Sequence, residues 1–363
     1  MAKRITKMQI DELLNLAAES RASDLHLIVG VAPMFRIDGE LQPAGNWPSL
    51  RREDIEALFN EVANQRQKEA FKRDLEVDFA YTLQNGGRGR CNACLQQGSI
   101  SLAIRLLART IPTAEDLGLP DIIKELITRP RGLILVTGPT GSGKSTSIAA
   151  MLNHLNTTDK RYVVTIEDPV EYVHQNKQCA FSQRELDSDT HSFINALKYV
   201  LRQDPDVILV GEMRDIETAS AVLSVAETGH LVLSTGHAPS AAQSVERIVD
   251  MFPPHERVMA QSRLASTLIA VFSQVLVPRI SGGRVAAVEI MLANSAVKNL
   301  IREGKPFLIP NTIRTNSNAG MKTLDDALID LYRRGIITRD YVFAFCQDAE
   351  DVNKTLRASN QGR

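Results

Sequence analysis

The sequence predicts an α/β protein in three parts: an N-terminal α+β module, a domain built on a mostly parallel sheet, and a helical C-terminal end. Three observations support this. The first hundred or so residues mix short amphipathic helices with short strands. From Gly132 onward, unalternating apolar runs are separated by helical segments, as expected of strands buried on both faces of a parallel sheet. After about Val297 the pattern is mostly helical.

The N-terminal module is expected to cover residues 1–108. Helical spacing occurs in "MQIDELLNLAAES" and again in "RREDIEALFNEVA". A hairpin is expected in "MFRIDGELQPA", turning through Asp38-Gly39, because Asp-Gly is a preferred two-residue turn. Further strands are predicted in "SDLHLIVG", "VDFAYTL", "GRGRCNACLQ" and "SISLAIRLLA".

A linker, residues 109–131, is predicted between this module and the α/β domain of residues 132–363. It contains three prolines and one short helical stretch. The domain's central strands are expected in "LILVT", "YVVTI", "VILV" and "LVLST". Its C-terminal helices are expected in "AVKNLIREG", "TLDDALIDLYRRG", which Gly335 would cap, and "TRDYVFAFCQD".

Composition narrows the possible classes of function. The 363 residues are 44% hydrophobic and 23% charged, with a net charge of −1, which gives no support to general binding of nucleic acid or membrane surfaces. The most apolar stretch, Leu264 to Val277, is shorter than the ~20 residues of a membrane span and predicts a buried helix. The basic start lacks a following apolar run, so no signal peptide is expected, and the protein is predicted to be cytosolic.

Cys91 and Cys94 form a C-x-x-C within a predicted strand, with no second pair nearby to complete a zinc site. Buried structural thiols are favoured, and a redox or metal role is the alternative.

The segment "GPTGSGKST" fits the phosphate-binding pattern G-x-x-x-x-G-K-[ST], and a strand precedes it and a helix follows it. Glycines let backbone N–H groups turn toward phosphates, and the helix N-terminus adds positive potential. Lys144 is expected to reach the β- and γ-phosphates, and the Ser145 hydroxyl to bind Mg²⁺. The predicted phosphate-binding residues are Gly138, Pro139, Thr140, Gly141, Ser142, Gly143, Lys144, Ser145 and Thr146.

Carboxylates follow two of the predicted strands, at the ends where open α/β sheets bind ligands. Glu167, Asp168 and Glu171 come after "YVVTI", and Glu212 comes after "VILV". Each could be a helix cap or a solvated residue, but beside a phosphate loop we favour catalysis for the glutamates and Mg²⁺ binding for Asp168. Gly211 stands where many P-loop hydrolases have a magnesium-steadying Asp, and the cluster after "YVVTI" can take over that role, largely through water.

Two histidines, His230 and His237, bracket the strand "LVLST", which is expected to lie beside the strand that leads into the phosphate loop. A structural role and a catalytic one are about equally supported. In the catalytic role, either histidine would contact the γ-phosphate or relay its loss to a neighbouring subunit.

The segments "GPTGSGKST", "TIEDPVEY", "DPDVILVGEMRD" and "TGHLVLSTGHA", at these separations, resemble the Walker A, Asp box, Walker B and His box of the hexameric ATPases of secretion systems and type IV pili. In that family, Gly-Glu is the usual Walker B ending. The segments "SDLHL", "MFRIDGEL", "MFPPHERVMAQSRLASTL", "GGRVAAVEIM" and "AVKNLIREGK" extend the resemblance to the pilus-retraction ATPases over nearly the whole chain.

The resemblance implies a PAS-like N-terminal domain, a RecA-like ATPase domain and a homohexamer with ATP between the domains of adjacent chains. It implies that Arg90 and Arg105 act as arginine fingers, and that ATP and Mg²⁺ are the ligands. The implied function is an ATP-hydrolysing motor for type IV pilus retraction and twitching motility. Such a motor would sit at the cytoplasmic face of the inner membrane, attached only through a platform protein of that membrane, with no nucleic-acid partner.

Two of this chain's departures from the family pattern fall in the His box and in the retraction motif. The usual "TLH" of the His box is "TGH", and Gly236 is expected to loosen the loop that carries His237. The retraction motif "AIRNLI" is "AVKNLI", where Lys298, Asn299 and Arg302 form the polar side of an amphipathic helix.

Other functions remain open. One is an ATPase of a related secretion or conjugative pilus system. Another is a RecA-like nucleic-acid translocase, which 5% aromatic residues and a near-neutral charge disfavour. A third, suggested by Gly211, is a scaffold that binds nucleotide without hydrolysing it.

Overall fold

The computed structural model describes residues 9–37, 39–83, 86–107 and 110–360. Contacts between Cα atoms divide the chain into two compact units, Met1–Thr110 with Pro169–Val173, and Ile111–Asp168 with His174–Arg363. The turn residue Asp38 and the expected domain boundary at residues 108 and 109 lie outside the described residues.

The first unit is built on a six-stranded antiparallel sheet. The strands are β1 (Asp24–Leu27), β2 (Met34–Ile37), β3 (Glu40–Pro43), β4 (Glu76–Thr82), β5 (Arg88–Gln96) and β6 (Ser99–Leu106). Their order across the sheet is β3-β2-β1-β6-β5-β4. The helices of this unit are α1 (Ile10–Glu19), α2 (Arg52–Val62) and α3 (Gln65–Asp74).

The predicted strands and the first two helices of this unit are confirmed, whereas α3 is an element that the prediction lacked. Its signal was present in the sequence. Asn64 accepts a hydrogen bond from the Gln67 backbone N–H, and the Gln67 side chain accepts one from the Asn64 N–H, which is a capping box. Only Phe71 of this helix is buried, so apolar periodicity alone gave little indication of it.

The two neighbouring cysteines lie on β5, where residues three apart point to opposite faces. Their Cα atoms are therefore about 10 Å apart along the strand, too far for a disulfide. Burial raises the pKa of the Cys91 thiol to about 12. The residues that the structure describes contain no group of His, Cys, Asp and Glu side chains that could hold a metal ion.

The second unit is built on a seven-stranded sheet with the order β13-β12-β7-β11-β10-β8-β9. All neighbouring pairs are parallel except β12 with β13. The strands are β7 (Gly132–Thr137), β8 (Tyr162–Glu167), β9 (Ala180–Glu185), β10 (Val207–Val210), β11 (Leu231–Gly236), β12 (Leu268–Pro278) and β13 (Arg284–Leu292). The four predicted central strands are β7, β8, β10 and β11, and β10 is fully buried, as its unalternating pattern indicates.

Helices cover both faces of this sheet. Apolar residues of α5 pack on one face, and those of α7, α8 and α9 pack on the other. The helices are α4 (Ile122–Leu126), α5 (Lys144–Thr158), α6 (Phe193–Val200), α7 (Ile216–Glu227), α8 (Ala241–Asp250), α9 (Arg257–Thr267), α10 (Ser295–Arg302), α11 (Ile309–Thr315), α12 (Leu324–Arg333), α13 (Arg339–Phe345) and α14 (Ala349–Asn360).

The helix predicted from Leu264 to Val277 is wrong. Helix α9 ends at Thr267, and β12 begins at the next residue and pairs with both β7 and β13. The polar pair Ser273 and Gln274 looked like interruptions in an apolar helix. Both are buried because they form hydrogen bonds with the residues around the phosphate loop. The pairing of β12 with β7 and β13 was not predicted, and neither were the strands β9 and β13 themselves.

The three predicted C-terminal helices are confirmed as α10, α12 and α13, whereas α11 and α14 were not predicted. The chain leaves α12 through Gly335, whose φ of 68° lies in the left-handed region. Across the described residues, no helix combines the length and apolar character that crossing a membrane requires.

Candidate nucleotide-binding site

The loop after β7 needs glycine at Gly138 for steric reasons. Its φ is +141°, and a Cβ at this position would lie 2.2 Å from the Gln274 carbonyl oxygen. Gly143, with φ +87°, precedes the first residue of α5 and leaves the loop in the left-handed region. The backbone therefore turns tightly around the N-terminus of α5, as in phosphate-binding loops.

Lys144 folds back over this loop. Its Nζ donates hydrogen bonds to the carbonyl oxygens of Gly138 and Pro139, at 2.9 and 3.0 Å. The ammonium group is thus held inside the loop by backbone acceptors, which phosphate oxygens can replace.

Gln274 supports the loop from β12 and is 2% exposed. Its Nε2 donates to the Ser142 carbonyl at 2.6 Å. The adjacent Ser273 hydroxyl is 2.8 Å from the Thr137 hydroxyl, which also accepts from Ser244 on α8 at 3.1 Å. Sequence reasoning missed Gln274, although a buried polar residue in an apolar run was a signal for it.

Glu212 lies just beyond the end of β10, with its side chain 13% exposed. Both carboxylate oxygens have partners: an Arg214 guanidinium nitrogen is 2.5 Å from Oε1, and the His237 Nε2 is 3.2 Å from Oε2. The structure therefore brings two predicted residues, Glu212 and His237, into contact. It adds Arg214, which the sequence prediction did not include.

Gly211 is closely packed against β8. A Cβ there would lie 3.3 Å from the Ile166 carbonyl oxygen and 3.4 Å from the Glu167 Cα. The Gly211 N–H donates to the same Ile166 carbonyl at 2.8 Å. A side chain at this position would thus require the neighbouring β8 backbone to give by a few tenths of an ångström.

Glu167, the last residue of β8, is held in place by its neighbours. Its Oε1 accepts hydrogen bonds from the Thr165 hydroxyl at 2.6 Å and from Gln183 Nε2 at 3.3 Å. Gln183 lies on β9 and was not predicted as a site residue, because the pairing of β9 with β8 cannot be read from the local sequence.

The remaining predicted oxygen ligands divide between the two units. Asp168 is exposed directly after β8, and Ser145 is in the first turn of α5, so both belong to the carboxyl-end edge of the sheet. A hydroxyl and carboxylates are the oxygen ligands that Mg²⁺ prefers, so these residues fit that ion. Glu171 belongs to Pro169–Val173, which groups with the first unit.

The two histidines are separated by the whole of β11. His237 follows the strand, whereas His230 precedes it, and the His230 carbonyl accepts from the N–H of Gly132 at the start of β7. Seven residue steps at about 3.3 Å each put roughly 23 Å between their Cα atoms. His230 therefore lies at the opposite edge of the sheet from its own phosphate loop. Its Nδ1 is 3.1 Å from the Thr228 hydroxyl, so its expected contact with the γ-phosphate of this loop is corrected to a local contact.

Gly236 is not in a loosened loop. It is the last residue of β11, pairs with Thr137, and its carbonyl accepts from the Gly138 N–H at 3.3 Å. The regular ladder thus extends up to His237 despite the glycine.

In the first unit, Arg90 and Arg105 are directly opposite each other on β5 and β6. Like charges opposite one another on a sheet are destabilising. Asp24 on β1 offsets part of this repulsion, because it accepts a hydrogen bond from Arg105 Nε at 2.9 Å. Burial opposes ionisation of Asp24, but the hydrogen bonds from Ser23 and Arg105 outweigh it and lower the pKa of this carboxyl.

A phosphate loop, a partly buried glutamate and a histidine at the carboxyl ends of a parallel sheet define a P-loop nucleotide-binding protein of mixed α/β fold. The chain belongs to the type II/IV secretion system protein family, whose model matches residues 98–305.

Relatives of known name match over most of the chain. The "Type IV pilus retractation ATPase PilT" of Pseudomonas aeruginosa is 46% identical over 92% of this chain and 96% of its own length. The "Twitching motility protein" of Neisseria gonorrhoeae is 44% identical over 88% of this chain and 86% of its own. A crystal structure of the pilus retraction motor PilT with bound ADP superposes with a TM-score of 0.90, at 41% identity, over 96% of this chain and all of that one.

Proposed function

We propose that this chain is an ATP-hydrolysing, hexameric motor that drives type IV pilus retraction. The proposal rests on one observation: Lys144, Glu212 and His237 lie at the same edge of the sheet. The chain that forms this sheet is similar over nearly its full length to retraction ATPases. The relatives' names supply the pilus system, and the site supplies the chemistry.

In the proposed reaction, Lys144 exchanges the loop carbonyls for the β- and γ-phosphates of ATP. Mg²⁺, held by Ser145 and Asp168, would neutralise charge on the phosphates. Glu212 accepts a proton from the attacking water, and this transfer is easier once Arg214 or His237 releases a carboxylate oxygen, because both partners stabilise the unprotonated form. Glu167, fixed by Thr165 and Gln183, orients water beside it.

The domain assignment is part of the same proposal. Residues 1–108 would form a PAS-like domain, 109–131 a linker, and 132–363 a RecA-like ATPase domain. Arg90 and Arg105 would act as arginine fingers between the domains of adjacent chains in the hexamer. The support is their direct opposition on β5 and β6, which places two guanidinium groups together on an exposed face.

The polar side of helix α10 is the support for attachment to an inner-membrane platform protein, and thus for movement in the retraction direction. Val297 and Ile301 are buried, whereas Asn299 and Arg302 are exposed and Lys298 is half-buried. The helix is thus anchored by its apolar side and leaves a polar side for a partner. The motor would then work at the cytoplasmic face of the inner membrane without entering it.

A bacterial strain that lacks the gene tests the function. We expect excess surface pili and no twitching, seen by electron microscopy and by stab assays. Cells without pili would show instead that the motor assembles pili.

The paired change Lys298→Ala/Asn299→Ala tests the attachment. It should abolish twitching while ATP hydrolysis and the hexamer stay near normal. The matched control is Asn353→Ala/Lys354→Ala, an adjacent Asn–Lys pair on α14. Normal twitching in the α10 variant would contradict the proposed contact.

A further inference from the structure

A cavity of ≈280 Å³ lies at the carboxyl-end edge of the second unit's sheet, on the face covered by α8. Leu135 and Thr137 of β7 form one wall, and Ser244 and Ile248 of α8 form another. None of the residues of the phosphate loop lines it.

The cavity lies where residue 236, because it is glycine, has no side chain. Gly236 pairs with Thr137, and Ser234 pairs with Leu135, so residue 236 shares the sheet face of Thr137 and Leu135. A Cβ at Gly236 would lie 3.2 Å from the Thr137 Cγ2, which is a wall of the cavity. Any larger residue at this position would therefore project into the space that is open here.

The lining has two chemical parts. The interior is mainly apolar, with Leu135, Met213, Ile248 and Met251, and hydroxyl groups are present on Thr137 and Ser244. Arg247 is exposed on α8 and also lines the cavity. Within residues 110–360 its guanidinium makes no hydrogen bond or ion pair. An apolar interior with one unpaired cation fits a ligand with an apolar body and one acidic group.

The cavity also touches the proposed catalytic residues. Arg214 and His237 both line it, and they hold the two carboxylate oxygens of Glu212. A molecule in the cavity would pack against both side chains and restrict their release of Glu212.

We infer that this cavity is a binding site for a small amphipathic anion, separate from the phosphate loop, and that its occupation slows turnover. The binding does not rest on the proposed function, whereas the effect on turnover does. The ligand's apolar body occupies the space that the absent side chain of residue 236 leaves, and its acidic group pairs with Arg247.

Two fluorescent probes of matched shape test the binding on the full-length protein. 8-Anilinonaphthalene-1-sulfonate carries an acidic group, and N-phenyl-1-naphthylamine lacks it. Gly236→Leu and, independently, Met251→Trp should each weaken both probes by about tenfold or more, because they fill the cavity. Arg247→Gln should weaken the sulfonate by about fivefold and leave the neutral probe unchanged, because only the sulfonate pairs with the guanidinium.

Three results of the binding titrations would overturn the site. The sulfonate could bind wild type and both filled variants equally, which would place it elsewhere on the surface. Arg247→Gln could weaken the two probes equally, which would remove the acidic-group contact. Saturating ADP could displace the sulfonate competitively, which would make the cavity part of the nucleotide site.

The turnover arm measures ATP hydrolysis at saturating sulfonate probe. We expect kcat to fall while KM for ATP stays constant in the wild type, and no effect in Met251→Trp relative to its own unliganded rate. Unchanged kcat with the probe bound would overturn the effect on turnover. If the protein does not hydrolyse ATP, only this arm fails, and the binding titrations still decide whether the site exists.

Discussion

The two units hold their charged side chains in different ways. At the carboxyl-end edge of the second unit, two of the proposed catalytic and phosphate-binding groups have partners from the same unit: Glu212 has Arg214 and His237, and Lys144 has two loop carbonyls. In the first unit, two arginines stand opposite each other with one nearby carboxylate, Asp24, bonded to Arg105.

The difference indicates separate roles for the two units. In the proposed reaction, Lys144 of the second unit would exchange its loop carbonyls for ATP, and Glu212 would act as base more readily once Arg214 or His237 released it. The first unit sets two exposed arginines directly opposite each other on its sheet, at a cost in cross-strand repulsion. Such a pair is suited to binding an anion that the first unit does not itself contain, as the proposed role of an arginine finger requires.

The largest expected effect comes from removing the two opposed arginines of the first unit. Arg90→Ala/Arg105→Ala should lower the rate of ATP hydrolysis by about 10³–10⁵, the value of an arginine that stabilises charge on a transferring phosphate. Binding of a fluorescent ADP analogue should be retained, because the phosphate loop is unchanged. Arg73→Ala, which alters an exposed arginine of the same unit, is the control. A double variant with the wild-type rate would show that the arginines are surface charges only.

Glu212→Gln tests the second unit, where the Glu212 carboxylate is held by partners of opposite charge or hydrogen-bonding character. It keeps the shape but loses the proton-accepting carboxylate, so hydrolysis should fall by about 10²–10⁴ while ATP still binds. Rapid-quench measurement of single turnovers separates the two steps, with the exposed Glu217→Gln as control. If Glu212→Gln hydrolyses ATP normally, the general base is Glu167 or Glu171.

Substitutions of the two histidines test which of them acts at the carboxyl-end edge of the second unit's sheet. His237→Ala removes the side chain that positions the Glu212 carboxylate, so kcat should fall by roughly 10–100-fold. His230→Ala is a matched control in the same unit, and its own hydrolysis rate should stay near wild type because His230 is at the other end of β11. Equal losses in the two variants would indicate that His230 acts across a subunit boundary.

Gly211→Asp tests whether the β8 backbone sterically disfavours an Asp side chain at this position. The new Cβ would press against the Ile166 carbonyl, so the free energy of unfolding should fall by about 1–3 kcal/mol in chemical denaturation. Gly211→Ala separates the steric effect from the charge. An Asp variant of wild-type stability and rate would mean that the β8 backbone moves aside readily.

The smallest effect is expected at Asp24. Its pKa is lowered in the folded protein, so its contribution to stability is present above the ordinary carboxyl pKa and disappears as pH falls through the folded value. Asp24→Asn should destabilise the protein by about 1 kcal/mol or less at pH 7, since Arg105 is largely exposed. The difference between variant and wild type should vanish in acid, and a constant difference across pH would exclude the ion pair as its cause.

The sequence by itself determined the features that depend on neighbours along the chain. The phosphate loop, its flanking strand and helix, the acidic strand ends and the four buried central strands follow from local spacing and apolar patterning. The position of Glu212 after a strand end also followed, because carboxyl ends of parallel strands share one edge.

Only the tertiary structure decided what depends on pairing between distant segments. Gln274 supports a loop more than 130 residues earlier in the chain, and its strand was mistaken for a helix because apolar runs do not reveal their partners. The strand register opposed Arg90 to Arg105, sent His230 and His237 to opposite edges, and placed Gly236 beside an open cavity. Register and burial arise from contacts between segments far apart in sequence, and local residue patterns do not contain them.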